Sequence, residues 1–216
     1  MVRTSDIAAA VHQIAALMHE HRQDLIRLDQ VAGDGDLGIS MDEGFSALAE
    51  ALADVPEDLG QALRSGAKTL NSAAPSSLGT ILSFGLMGMA KPLRGLTEAS
   101  PEQLAVALIA GVENIMSKAE SAPGEKTVLD SLHPGAVAWR EALDSGASCA
   151  EAAARAATAA AEGSEATRQM RAVHGRAAYS ADRSIGQLDG GSVVGKLIFV
   201  GIARAVAGEG TSALHR

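Results

Sequence analysis

Apolar residues recur along this chain at spacings of three and four, the period of a helix with one buried face. The first such run extends from Ile7 to Leu28, and Ser5 is its expected N-cap. Seven further helices are predicted, over residues 41–52, 59–70, 78–90, 101–118, 128–143, 147–170 and 192–207. The start of the fifth helix is marked most clearly, because Ser100 precedes Pro101 and Gln103 follows at the third position.

No segment alternates apolar and polar residues over the length of a strand. The predicted fold class is therefore all-α. Most of the connections are short, so consecutive helices should be antiparallel neighbours in an eight-helix bundle. A length of 216 residues suits one domain, and no linker divides the chain, so a single domain over 1–216 is expected.

Composition excludes several classes of function. The net charge is −8 and no basic cluster occurs, so a nucleic-acid partner is not expected. Cys149 is the only cysteine, which leaves no intrachain disulfide. No apolar run reaches the roughly 20 residues of a membrane span, and the first residues lack the order of a signal peptide. The expected location is the cytoplasm.

Three aspartates stand close together between the first two predicted helices. Asp29, Asp34 and Asp36 lie on a loop whose Gly33 and Gly35 allow a tight backbone. Converging carboxylates repel one another unless a cation lies among them, and hard cations such as Mg²⁺ prefer oxygen ligands. The loop leads directly into a helix N-terminus, where free N–H groups favour phosphate. This loop therefore suits a Mg–nucleotide, although a solvated turn is the alternative interpretation.

Four motifs in order resemble one family. The sequence from Asp29 through Asp34-Gly-Asp36 to Phe45 is similar to the metal loop of the nucleotide-binding L subunit of dihydroxyacetone kinases. Three later segments also match that family: residues 123–130 (PGEKTVLD), residues 175–186 with Arg176 in GRAAY, and residues 189–191 (DGG).

The resemblance implies a fold, a set of ligands and a set of site residues. The fold would be an eight-helix antiparallel barrel with the nucleotide site at one end. Asp29, Asp34 and Asp36 would bind two Mg²⁺ ions that hold the phosphates of ATP or ADP. Arg176 would be the catalytic residue and would also contact the nucleotide. The other expected nucleotide contacts are Leu37, Gly38, Ile39, Ser40, Ser76, Ser77, Val128, Asp189, Gly190 and Gly191.

The implied function is phosphoryl transfer from a Mg–nucleotide to a small ketose held on a separate K subunit. This chain alone would then be an incomplete kinase. The sequence leaves open whether the donor is free ATP or a bound ADP recharged by a phosphotransferase-system protein, and whether a homodimer forms. Departures from the family pattern, such as Leu37 and Ser40, suggest a ketose other than dihydroxyacetone, for example a tetrulose.

The sequence also leaves open two hypotheses from other functional classes. The first is a non-catalytic regulatory module that holds nucleotide and docks on a protein partner. The second is a helical barrel that binds a lipid or another apolar ligand, since the eighth helix is apolar on most faces and alanine is abundant.

Overall fold

A computed structural model describes residues 1–31, 33–54 and 57–208, without the side chains of Asp54, Arg176, Ser180, Ala181 and Arg183. Its helices, in chain order, are α1 (Thr4–Glu20), α2 (Arg22–Asp29), α3 (Leu37–Ala51), α4 (Leu59–Ala73), α5 (Ser77–Ala90), α6 (Pro101–Ala119), α7 (Leu129–Asp144), α8 (Cys149–Ala166), α9 (Ala181–Ser184) and α10 (Gly190–Val206). Two short strands, β1 (Val2–Arg3) and β2 (Glu98–Ala99), and 3₁₀ turns at Leu52–Asp54, Thr167–Gln169 and Arg176–Ser180 complete the described part.

Eight of these helices form a closed ring. Each of α1, α3, α4, α5, α6, α7 and α8 packs against the next long helix, and α10 closes the ring by packing against both α8 and α1. Consecutive helices joined by short connections run in opposite directions, so this ring is an up-and-down antiparallel barrel. The all-α fold class and the eight-helix architecture are confirmed.

Three details differ from the predictions. The first helix is interrupted at His21, which ends α1 and precedes α2. The predicted N-cap at Ser5 was wrong, because Arg3 occupies that position and its backbone N–H donates to Asp6 Oδ2 over 2.7 Å. The expectation of no strand was also wrong: Val2 pairs with Ala99 and Arg3 with Glu98 in an antiparallel ladder of two residues each. A ladder this short carries no detectable period in the sequence.

The alternation of helix direction brings four connections to the same end of the barrel. These are the Asp loop (residues 29–36, counted from the last residue of α2), the turn 74–76, the loop 120–128 and the long segment 167–189. The chain start and the connections 91–100 and 145–148 lie at the other end. Motifs far apart in sequence therefore meet at one end, which we call the site end.

The interior of the barrel is apolar. Buried side chains from all of the eight long helices form one continuous core that includes Phe45, Trp139 and Phe199. This core surrounds a cavity of about 360 Å³ whose walls are almost entirely apolar. Within the described residues, no helix has the length and hydropathy needed to cross a membrane.

Candidate functional site

The Asp loop brings its three carboxylates together. Asp29 ends α2, Asp34 is exposed in the loop, and Asp36 is the residue before α3. One carboxylate oxygen from each lies within 4.8 Å of the others. Two oxygens on opposite sides of one Mg²⁺ are about 4.2 Å apart, given ligand distances of about 2.1 Å. The predicted metal ligands therefore converge as a divalent cation requires.

The glycines of the loop are needed for this convergence. Gly35 has φ of +80°, and its N–H donates to Asp29 Oδ2 over 2.7 Å. A side chain at Gly33 would overlap the carboxylate of Asp29. The backbone therefore passes close to Asp29 and holds its carboxylate in place toward the other two aspartates.

The first turn of α3 faces the start of α5. Ser40 is buried, and its hydroxyl donates to Ser76 Oγ over 2.8 Å. Ser76 is the N-cap of α5, where its oxygen accepts from the N–H of Gly79, and Ser77 is exposed beside it. Two helix N-termini thus meet next to the carboxylates. The N–H groups of a first helical turn have no acceptor within their own helix, so this arrangement favours an anion.

The loop 120–128 is closed by Asp130. Its Oδ1 accepts the N–H of Gly124 over 2.5 Å, and its Oδ2 accepts the N–H of Thr127 over 2.6 Å. Val128, between this loop and α7, is 3% exposed. A side chain on Gly191 would lie 3.4 Å from Val128 N, so the loop and the start of α10 are in direct contact. The structure therefore brings together two of the predicted nucleotide contacts.

The start of α10 lies against Leu28 and Leu37, which flank the Asp loop, and against Val128 at the end of the loop 120–128. Asp189 is the N-cap of α10, and its Oδ2 accepts the N–H of Ser192 over 2.6 Å. Burial raises the pKa of Asp189 to about 6. The Ser192 N–H and the Lys126 ammonium oppose this rise, whereas the carboxylates of Asp130 and Asp29 add to it. Gly190 faces Leu37 so closely that a side chain there would touch it.

The segment 167–189 carries the predicted catalytic residue. The backbone of Arg176 begins the 3₁₀ turn Arg176–Ser180. Its side chain lies outside the described residues, so its role stays a prediction. His174, two residues earlier, is linked to Glu125 by a 2.5 Å contact between Nε2 and Oε2. This segment is therefore attached to the loop 120–128.

Sequence reasoning missed a group of buried polar residues beneath the site. Lys126 is 7% exposed, and its ammonium donates to three backbone carbonyls. Burial lowers the pKa of Lys126, although the Asp189 carboxylate opposes the shift. Thr167 Oγ1 accepts the N–H of Asp189, and Ser164 Oγ lies 3.0 Å from Ser192 Oγ. The motif PGEKTVLD, which contains Lys126, is apparent in the sequence, but the acceptors of the Lys126 ammonium lie 41 to 61 residues away.

The fold and the site together define a class of protein: an all-α barrel domain with a carboxylate cluster and two helix N-termini at one end. The DAK2 domain family model matches residues 31–204. The chain therefore belongs to the DAK2 domain family.

Three relatives each cover most of this chain. The ADP-binding subunit DhaL of PEP-dependent dihydroxyacetone kinase 1 from Listeria innocua is 32% identical over 84% of this chain and 86% of its own length. The corresponding DhaL subunit from Escherichia coli is 29% identical over 78% of this chain and 80% of its own length. The L-erythrulose kinase of Pectobacterium atrosepticum is 28% identical over 97% of this chain, which spans only 37% of that enzyme.

A solved structure has the same fold. The dihydroxyacetone kinase of C. freundii in complex with AMP-PNP and Mg²⁺ superposes with a TM-score of 0.73 at 20% identity. The match covers 92% of this chain and 33% of that one. It confirms the all-α barrel as a fold found within a larger kinase chain.

Proposed function

We propose that this chain is the nucleotide-binding subunit of a small-ketose kinase. It would hold ATP or ADP at the site end and transfer a phosphoryl group to a ketose bound on a separate K-type subunit. The observation that carries the proposal is the convergence of Asp29, Asp34 and Asp36 within 4.8 Å beside two helix N-termini. Such a site matches both halves of a Mg–nucleotide, the cation and the phosphates.

The residues of the Asp loop fit a hard divalent cation. All three side chains supply carboxylate oxygens, and Gly33 leaves the space that the Asp29 carboxylate occupies. We propose that these residues hold two Mg²⁺ ions, which would supply neutralisation of phosphate charge when bound. The Ser40 and Ser76 hydroxyls and the N–H groups of the first turns of α3 and α5 would contact phosphate oxygens.

The remaining predicted residues would enclose the nucleotide. Val128 and the backbone of Gly190 and Gly191 would form the apolar wall and the closing turn. Arg176 would place its guanidinium at the transferring phosphoryl, where a planar fork of donors stabilises developing charge. Positioning and charge stabilisation are the main contributions expected of a protein in phosphoryl transfer.

The names of the relatives support one choice of nucleotide and one choice of ketose. The two DhaL proteins that cover most of this chain are named ADP-binding subunits of PEP-dependent kinases, which favours a retained ADP over exchange of free ATP. The erythrulose kinase relative supports a tetrulose as an alternative ketose. We place the protein, as one domain, in the cytoplasm.

The K-type subunit would dock at the site end, since transfer requires the phosphates to face the ketose. Five of the exposed large apolar side chains lie on the connections or first helical turn at this end: Val31, Ile39, Val173, Tyr179 and Ile185. We call this set the site-end apolar patch. Exposed apolar and aromatic side chains concentrated at one end of a molecule are typical of protein interfaces.

Calorimetric titration of Mg–ADP tests the proposal. Asp34→Asn keeps the size of the side chain and removes one charge from an exposed loop position. We expect its affinity for Mg–ADP to fall by about 100-fold or more, close to the upper end of a single charge-assisted contact, about 3 kcal/mol. The melting temperature without ligand should change little, because the residue is not part of the core.

Asp144→Asn is the matched control. Asp144 is an exposed residue at the opposite end of α7, about 22 Å along the helix from Leu129. It should bind Mg–ADP like the wild type. Equal affinities for all three proteins would contradict the metal assignment. Absence of turnover with a K-type subunit, despite tight Mg–ADP binding, would favour the regulatory module instead.

The cavity in the barrel favours a second candidate function, the binding of an apolar ligand. Its walls are apolar, and the indole N–H of Trp139, which lines it, has no hydrogen-bond partner among the described residues. A ligand with an aliphatic body and one acceptor oxygen would suit this interior. Organic extraction of the purified protein followed by mass spectrometry tests this candidate.

A further inference from the structure

Lys126 is a buried cation with an unusual set of partners. Its Nζ donates to the carbonyl oxygens of Thr167 over 2.7 Å, Ser184 over 2.8 Å and Gln187 over 2.6 Å. Burying a charge is costly unless it is fully hydrogen-bonded, and an ammonium group has three N–H donors. All three donors are used here, one on each carbonyl.

This complete set of partners determines what Lys126 can do. A lysine that contacts phosphate must have an N–H to give to the phosphate, and Lys126 has none left. The residue therefore acts on the protein and not on the nucleotide. Its acceptors lie at the end of α8 and on the turn that leads from α9 to α10, so one side chain joins three stretches of backbone at the site end.

The stretch held in this way is the one that closes the predicted site. Gln187 lies two residues before Asp189, the N-cap of α10, and Gly190 and Gly191 follow it. The same stretch is also held by the Thr167 hydroxyl, which accepts the N–H of Asp189 over 3.1 Å. The residue next to Lys126, Glu125, attaches the earlier part of the segment through its carbonyl oxygen, which accepts the N–H of Val173.

We propose that Lys126 is a positioning residue that anchors residues 184–189 and thereby sets the closing turn of the nucleotide site. This inference rests on the proposed function. The anchor keeps Asp189 capping α10 and keeps Gly191 against Val128, so the turn is already in place when nucleotide arrives. Loss of the anchor should therefore weaken nucleotide binding without removing any group that contacts the nucleotide.

The backbone at Lys126 provides a second variant for the test. Its φ is +62°, in the left-handed region that residues other than glycine rarely adopt. Lys126→Met keeps the length of the side chain and removes the ammonium, but it also keeps the unfavourable backbone. Lys126→Gly removes the ammonium and accepts this φ without strain. If Lys126→Met does not fold, Lys126→Gly still tests the anchor.

The experiment measures hydrogen exchange in the full chain without ligand, and then Mg–ADP affinity by calorimetry. In the Lys126 variants, the amides of Gly186, Gln187 and Asp189 should exchange at least tenfold faster than in the wild type. Amides in the middle of α5 should be unchanged. The dissociation constant for Mg–ADP should rise by tenfold or more. Lys118→Met, which removes one exposed charge from α6, should match the wild type in both measurements.

The outcomes separate the anchor from the proposed function. Faster exchange spread evenly over the barrel would overturn the inference, because Lys126 would then be a general stabilising residue. Faster exchange confined to residues 184–189 with unchanged Mg–ADP affinity would overturn it as well. Wild-type protein that binds no Mg–ADP would overturn the proposed function and this inference together, whereas binding by the wild type makes the variants a test of the anchor alone.

Discussion

Single charged residues at the site end have two distinct kinds of partner. The carboxylates of Asp29, Asp34 and Asp36 lie close to one another, as residues that hold a ligand do, and Asp29 also accepts the N–H of Gly35. The charges of Lys126 and Asp130 are instead directed at backbone groups, the first at carbonyls and the second at N–H groups. The type of residue alone does not show whether a charged side chain holds a ligand or holds the backbone. The contacts that the side chain makes in the structure distinguish the two roles.

Glu125 gives a prediction for pH dependence. Its Oε2 accepts the N–H of Ala122, the His174 ring N–H and the Ser121 hydroxyl, and these contacts lower the pKa of Glu125 from 4.5 to about 2. Because the folded-state pKa is depressed, its stabilisation is complete above about pH 5 and is lost as the pH falls from 4.5 toward 2. Glu125→Gln should lack this contribution.

Urea unfolding at several pH values measures this effect. The wild type should be more stable than Glu125→Gln at pH 7, and the difference should shrink steadily as the pH falls from 5 to 2. Glu113→Gln, at an exposed position of α6, is the control. A difference between wild type and Glu125→Gln that stays constant over this range would show that the Glu125 contacts do not depend on its charge.

The site residues whose roles could be predicted from the sequence are those whose partners lie nearby in the chain. The three aspartates occur within eight positions, and the glycines between them are necessary for their approach. The capping box of Ser100 and Gln103 is likewise local, and it is confirmed. The role of Lys126 could not be derived in this way, because its three acceptors are backbone carbonyls, which have no side-chain signature in the sequence.

At the scale of helices, close packing around the ring depends on positions without a side chain. Gly201 in α10 faces α1, and a Cβ at this position would lie 2.9 Å from Ile14 N and 3.0 Å from Ile14 Cα. These are backbone atoms that cannot move without shifting α1. Gly85 in α5 also faces a neighbour, but its nearest contact would be the end of the Ile115 side chain at 3.0 Å.

These two glycines make a matched pair of variants. Alanine gains about 0.8–1.0 kcal/mol over glycine within a helix, whereas overpacking costs about 1–3 kcal/mol. In Gly201→Ala the cost of overpacking should exceed the gain in helix propensity, so the free energy of unfolding should fall by about 1–2 kcal/mol. In Gly85→Ala the flexible Ile115 can turn away, and stability should equal or exceed that of the wild type. Equal losses in both variants would show that the backbone contact at Ile14 is not decisive.

At the scale of the whole molecule, the sequence predicted eight helices and the structure closes them into a ring. Periodicity located the eight long helices to within about four residues, with α1 and α2 predicted as one, because the buried face of a helix is set by local spacing. It did not predict the short helix α9. Periodicity could not show that α10 packs against α1, since that contact joins the two ends of the chain. Ring closure nevertheless shapes the candidate site, because it brings the four connections of the site end together.

Docking of a K-type subunit at this end is testable at the same scale. Tyr179 is the most exposed member of the site-end apolar patch, with 94% of its surface accessible. A tyrosine at the centre of an interface typically contributes about 2 kcal/mol or more. Tyr179→Ser should therefore weaken association with the K-type subunit by at least tenfold, which corresponds to about 1.4 kcal/mol.

The control and the second readout make this prediction specific. Tyr179→Ser should bind Mg–ADP within about twofold of wild type, a difference below about 0.5 kcal/mol, because Tyr179 is 94% exposed and is not among the residues proposed to contact the nucleotide. Val106→Ser, 46% exposed in the first half of α6, removes an apolar side chain near the opposite end and should leave association unchanged. Sedimentation velocity of each variant mixed with the K-type subunit measures the affinity. If Val106→Ser weakens the complex and Tyr179→Ser does not, the partner docks at the other end of the barrel, and transfer between the two subunits would need a different geometry.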